Sequence, residues 1–209
     1  MRQYGWGAVL PPAKRAGAGR GREGGGRGSA QGAGQVPGVA RDHVLVVRGG
    51  KVVSEPVNLG DGWVGFDYEA AFGKPTQVVN DAVMQAVGSY QGGRMLFLGL
   101  GTGLGSAMIV EGVIEPLELG HLPYCKKTFE DYVGERSLKK RGKKKWTKDV
   151  FAAVEQLAAA MEPDEVVLGG GGVDELDELP DGCRRGENEN AFLGGFRLWD
   201  PDWPSQLAK

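Results

Sequence analysis

Two cysteines in 209 residues, Cys125 and Cys183, are too few for a disulfide-stapled scaffold or an all-cysteine zinc site. No apolar run approaches the ~20 residues that crossing a bilayer requires. Met1-Arg2 leads into Gln-Tyr-Gly-Trp-Gly, not into the apolar core of a secretory signal, so a cytoplasmic location with no membrane partner is expected. Residues 11–35 contain no Val, Ile, Leu, Met, Phe, Trp, Tyr or Cys. Such a stretch buries too little apolar surface to offset an ordering entropy of roughly 1–2 kcal/mol per residue. Residues 1–42 therefore read as a disordered, low-complexity segment rich in Gly, Arg and Ala. A net charge of −2 does not argue for a nucleic-acid partner, but it conceals an asymmetry: residues 1–50 hold eight Lys/Arg against two Asp/Glu, or +6, leaving −8 for the rest. Arg20, Arg22 and Arg27 among glycines have the composition of an RNA-binding arm. No aromatic is interleaved to stack on bases, so no nucleic-acid partner is expected. A GC-rich coding region read out of frame, or a misassigned start, gives the same composition, and that is the favoured reading of the segment.

Glycine is abundant: 37 residues, where typical usage of about 7% would give about 15. Ten fall within residues 16–38; the others punctuate apolar segments. His43-Val-Leu-Val-Val47 reads as a strand, with Arg48-Gly-Gly-Lys51 turning into Val52-Val53. Asn58 to Trp63 is loop-rich and 76–79 a short strand. Val83, Met84, Val87 and Tyr90 then suit one face of a helix starting near Asp81. Met95-Leu-Phe-Leu98 is a buried strand, and 107–110 pairs with 113–114 across Glu111-Gly112. Helices are expected over 129–138 and 146–161, and a strand over 165–168 before Gly169 to Gly172. Strand, glycine turn and helix recurring in this way indicate an α/β architecture.

Gly99-Leu-Gly-Thr-Gly-Leu-Gly105 follows a strand. Glycines there bring backbone N–H groups close to a phosphate, and Thr102 adds a hydroxyl donor; a plain glycine-rich hairpin is the alternative. It is no Walker loop, since Lys and Ser/Thr are missing from the required places. It is no dinucleotide fold either, because a β-hairpin follows where a helix is needed. Asp81, after Asn80 at a strand end, is placed either as a general base or as a helix N-cap. Glu118-Leu-Gly-His121 brings an acid and an imidazole within one turn, a pair able to bracket vicinal hydroxyls.

In order, Asn80-Asp81, Gly101-Thr-Gly-Leu-Gly105, Glu118-Leu-Gly-His121, Phe129-Glu-Asp-Tyr-Val-Gly134 and Val167-Leu-Gly-Gly-Gly171 resemble the ROK family of sugar kinases. Asn188-Glu-Asn-Ala-Phe-Leu-Gly-Gly-Phe-Arg-Leu-Trp199, with Lys143-Lys-Lys-Trp146, is similar to its polyphosphate glucokinase branch. The resemblance spans about 150 residues, 51–200. It implies an actin-like (ribonuclease H-like) two-domain α/β kinase, with 43–92 the remnant of an incomplete N-terminal domain and 93–209 the C-terminal domain. The implied reaction moves a phosphoryl group from ATP or polyphosphate, with Mg²⁺, to the 6-hydroxyl of glucose. Asp81 would be the catalytic base. Asn80, Asp81, Glu118, His121 and Glu130 would bind the sugar. Gly101, Thr102 and Gly103, with Gly169, Gly170 and Gly171, would bind phosphate and nucleotide. Family relatives also imply a homodimer.

Two features depart from the family pattern. Its clustered zinc-binding cysteines are reduced here to Cys125 beside His121, and two ligands cannot close a tetrahedral site, so no structural zinc is expected. The family's opening Asp-x-Gly-Gly-Thr phosphate turn occurs nowhere in the sequence, which implies weak or absent transfer, or a non-catalytic sugar-binding remnant. The basic run Lys139-Lys-Arg-Gly-Lys-Lys-Lys145 reads either as a solvated linker between helices or as a track for a polyphosphate chain. Lys143, Lys144 and Lys145 would be its contacts, with a steep dependence on salt.

Overall fold

The computed structural model describes residues 6–9, 47–48, 51–54 and 61–203. β1 (Trp6–Val9) pairs antiparallel with β4 (Gln77–Asn80), Trp6 opposite Asn80 and Val9 opposite Gln77. This corrects the reading of 1–42 as wholly without structure. The order at 6–9 comes from pairing with a strand some seventy residues away, which local composition does not register; the 11–35 tract lies outside the described residues. β2 (Val47–Arg48) and β3 (Lys51–Val52) form the expected hairpin, while 43–46 and 58–60 are likewise outside the description. α1 (Tyr68–Phe72) is capped by Asp67, whose carboxylate accepts from the Ala70 N–H, and ends on left-handed Gly73.

After α2 (Asp81–Ser89) comes an antiparallel meander: β5 (Arg94–Leu100), β6 (Leu104–Val110) and β7 (Val113–Leu117). A short hairpin, β8 (Pro123–Tyr124) and β9 (Lys127–Thr128), leads into α3 (Phe129–Val133), α4 (Glu135–Arg141) and α5 (Lys143–Met161). β10 (Glu165–Gly169) and β11 (Cys183–Arg185) add parallel strands beyond β5, so the five-stranded order is β11-β10-β5-β6-β7. α6 (Asn190–Arg197) closes the described chain.

The sheet is covered on both faces, which is why β5 and β10 read as continuous apolar runs rather than alternating ones. Leu96, Leu98, Leu100, Val166 and Leu168 face α3 and α5. On α5, Trp146, Val150, Ala153, Val154 and Leu157 recur at helical spacing and form its buried stripe. The Trp146 indole N–H is satisfied by the Val133 carbonyl at 2.6 Å. On the other face Met95, Phe97, Ala107, Ile109 and Val167 meet Ala82, Val83, Ala86 and Val87 of α2.

Two helical boundaries differ from the sequence reading. The helix expected over 129–138 is two helices broken at Gly134, whose backbone is extended. α5 begins at Lys143, three residues before the expected start, so the basic run is the end of one helix and the beginning of the next, joined by Gly142.

Candidate active site

β4 delivers Asn80 and Asp81 to the start of α2, and the competing cap assignment is resolved there. Asn80 is the N-cap, its side-chain oxygen accepting from the Ala82 N–H at 2.7 Å; Asp81 is the first helical residue and accepts from the same N–H at 2.8 Å. Capping occupies the Asn80 oxygen and leaves its NH₂ to donate. Burial pushes the Asp81 carboxyl above its ordinary range, with the Ala82 N–H partly opposing. A base with raised proton affinity, held at a helix N-terminus, is suited to taking a hydroxyl proton.

Glu118, His121 and Glu130 converge nearby. Partial loss of water raises the Glu118 carboxyl; His121 opposes, and the negative charges of Glu130 and Asp81 reinforce it. Glu118 thus feels the other three groups directly. His121 Nε2 lies 3.7 Å from Glu130 Oε1. The backbone explains the convergence. Ser106 donates its hydroxyl to the Leu117 carbonyl and accepts from the Leu119 N–H, both at 3.0 Å, pinning the 117–119 segment to β6. Gly120 is buried where a Cβ would stand 2.7 Å from the Leu104 carbonyl oxygen and 3.5 Å from the Glu130 Cβ. Only a residue without a side chain lets His121 approach Glu130 this way.

The glycine turn adjoins this group. A Cβ at Gly103 would lie 2.7 Å from Glu130 Oε2, and one at Gly105 would lie 3.0 Å from the Ala82 methyl, beside Asp81. The Gly101 N–H donates to the Gly103 carbonyl at 3.2 Å, and the Gly101 carbonyl accepts from Glu135 at 2.9 Å. Gly101 therefore spends its N–H closing the turn, and the Thr102 and Gly103 amides are the ones left for a ligand. Gly134 packs here too: its Cβ would stand 2.6 Å from the Thr102 carbonyl oxygen. The sequence reading missed Ser106, Gly120 and Gly134. A glycine inside an expected helix was the one available signal for Gly134.

Gly169 to Gly171 follow β10, which runs parallel to β5 with Gly169 opposite Gly99. Both glycine turns thus leave the carboxyl ends of adjacent parallel strands, where α/β sheets bind ligands. Gly170 has φ +78°, and a Cβ there would lie 2.5 Å from the Leu100 carbonyl oxygen; Gly171 faces open space. Of the basic run, Lys143 is paired with Asp177 at 2.7 Å, Arg141 with Asp149 at 2.7 Å and Lys139 with Glu135. Lys144 and Lys145 are exposed and have no ion pair among the described residues. No group of three or more His, Cys, Asp or Glu among the described residues is arranged to hold a metal ion. No helix among them is long and apolar enough to cross a membrane.

No protein-family model matches the chain. Polyphosphate glucokinases from two strains of Mycobacterium tuberculosis are 29% identical to it over 136 aligned residues, covering 57% of this chain and 51% of theirs. The chain thus spans about half the length of the curated relatives it matches. Among solved structures, the inorganic polyphosphate/ATP-glucomannokinase of Arthrobacter sp. strain KM superimposes with a TM-score of 0.62 at 23% identity, over 78% of this chain and 70% of that one. A ROK family glucokinase from Streptomyces griseus, in complex with glucose and AMPPNP, gives 0.51 at 16% identity, over 65% and 74%. The chain is homologous to polyphosphate glucokinase, and its α/β fold is the actin-like fold of the ROK sugar kinases.

Proposed function

We propose that the chain is a glucokinase-type enzyme that transfers a phosphoryl group from polyphosphate or ATP to the 6-hydroxyl of glucose. The observation carrying this reading is the convergence of Asp81, Glu118, His121 and Glu130 beside the 101–103 turn. Homology to sugar kinases supports the reaction class. Glu118, His121 and the Asn80 NH₂ hold the sugar hydroxyls, with Glu130 between them and the turn. The Asp81 carboxylate takes the proton of the 6-hydroxyl as its oxygen attacks the terminal phosphorus. The bond from that phosphorus to the bridging oxygen breaks, releasing ADP or a shortened polyphosphate. The Thr102 and Gly103 amides and the Thr102 hydroxyl stabilise charge on the transferred group. Mg²⁺ belongs here to the substrate, arriving on the donor phosphates. Residues 43–92 would bring Asn80 and Asp81 from one domain to the ligand groups of 93–209. Lys144 and Lys145, with no ion pair among the described residues, are the run's candidates for a polyphosphate chain.

A second reading, sugar binding without transfer, is favoured by the absence of an Asp-x-Gly-Gly-Thr turn from the sequence. A coupled assay for glucose 6-phosphate with either donor, run beside a calorimetric glucose titration, separates the two. Turnover that falls about a thousandfold in Asp81→Asn, the scale of a lost general base, supports the kinase. Equal turnover in the variant contradicts it, and glucose binding without turnover supports the second reading.

A further inference from the structure

α2 presents almost nothing but apolar side chains to the sheet: Ala82, Val83, Ala86 and Val87 are all buried there. Of the two other-than-apolar side chains there, the buried Ser89 hydroxyl accepts from the Asn190 NH₂ at 3.0 Å, which leaves Gln85 as the one without a partner among the described residues. It lies one turn after Asp81 on the same helix face, since residues four apart stack. Its side-chain oxygen is sealed from solvent without a hydrogen-bond partner. That oxygen rests against the end of β10, where a Cβ built on Gly169 would stand 3.1 Å from it and 2.7 Å from the Phe97 ring. A buried amide oxygen with no donor is a standing cost, and such atoms are rare enough in folded proteins to require a reason. A leucine or methionine would fill the same space without it.

The surroundings supply a reason. Gly169 opens the 169–171 glycine turn, and Asp81 starts the helix that carries Gln85, so the carboxamide lies at the entrance to the second turn and one helical turn along α2 from the base. The residue is only half-buried, and its NH₂ meets no acceptor among the described residues. We propose that Gln85 is a further binding residue: its NH₂ donates to the phosphate chain of the phosphoryl donor lying along the 169–171 turn. Gly169 is then required for steric reasons, because any side chain there would displace the amide and the Phe97 ring. The inference rests on the kinase reading. The chemistry it names, a phosphoanhydride chain, is common to nucleoside triphosphates and inorganic polyphosphate.

The test compares the full chain with Gln85→Leu and with Gln85→Met, the second being unbranched and equally at home in a helix. Each is titrated calorimetrically with Mg²⁺-tripolyphosphate, with Mg²⁺-ADP and with glucose. Loss of one hydrogen bond to the donor raises its dissociation constant about fivefold. That rise is expected for both phosphate probes in both variants, with glucose affinity within twofold of the parent and thermal midpoints equal to it or higher. A role confined to packing would lower the midpoint and leave the phosphate probes unchanged, which overturns the proposal. Weakening of ADP alone overturns the assignment to the phosphate chain. A parent chain that binds glucose but neither phosphate probe also overturns it and leaves the sugar site standing. A parent that binds none of the three removes the kinase reading and this inference together.

Discussion

Asp81 answers two demands that pull against each other. A general base works best when its proton affinity approaches the working pH, and burial supplies that by raising the carboxyl above its ordinary value of 3.8. The same burial weakens the fold wherever Asp81 is ionised. For a carboxyl whose folded proton affinity exceeds the unfolded one, the stabilising contribution is complete below the unfolded value and is lost as pH rises through the folded one. At pH 7 the ionised group is therefore a net cost, and Asp81→Asn removes it. The expected outcome is a thermal midpoint above the parent at pH 7, with the gain shrinking toward pH 4. The parent's kcat/KM should fall on the acid side at a pH above the ordinary Asp range. A variant no more stable at either pH, with an acid limb at the ordinary value, would show that the carboxyl is not held in this environment. Asp81 was legible as a chemical candidate from the sequence, but its environment was not, because burial comes from the whole α2–sheet interface.

Among the elements, α2 matters most, since it carries both Asp81 and Gln85. It is held at its far end by α6. The Arg197 guanidinium donates to the carbonyls of Val87, Gly88 and Tyr90 at 2.8, 2.9 and 3.1 Å, satisfying acceptors that a helix C-terminus leaves open. Gly88 and Gly194 lie where any Cβ would run into the backbone of Asn190 and Met84 respectively. Gly194, the first glycine of the Gly-Gly pair in the closing motif, noted in the sequence only as a family likeness, thus has a packing cause. Gly134 is the comparable joint on the opposite face. Its φ of −73° suits any residue, so the requirement for glycine is purely steric, set by the Thr102 and Glu130 carbonyls at 2.6 and 2.7 Å from a Cβ. Gly134→Ala should cost about 1–3 kcal/mol by overpacking, read from denaturant midpoints. It should also lower turnover by moving the 101–103 turn. Unchanged stability and rate would show that the turn does not depend on that contact. The apolar stretches of β5 and β10 were readable because burial on both faces writes itself as a continuous run. The break at Gly134 and the pairing of β1 with β4 were not, because each is fixed by a contact distant in sequence.

Taken as a whole, the molecule gathers at one end of its mixed sheet what the sequence spreads over some ninety residues, from Asn80 to Gly171. The order of the motifs pointed to the proposed site; their spacing alone left each one ambiguous. What no single motif disclosed was how they meet: Ser106 and Gly120 set the Glu118–His121 segment against α3, and the parallel pairing of β5 and β10 sets the two glycine turns side by side. The central claim is that Asp81, Glu118, His121 and Glu130 form a single sugar site. The most direct measurement is a calorimetric titration of the full chain and of Glu118→Gln with glucose. Saturable binding by the parent, weakened about tenfold or more in the variant by loss of a charged hydrogen-bond acceptor, is the predicted result. No glucose binding by the parent, or equal affinity in the two, would contradict it.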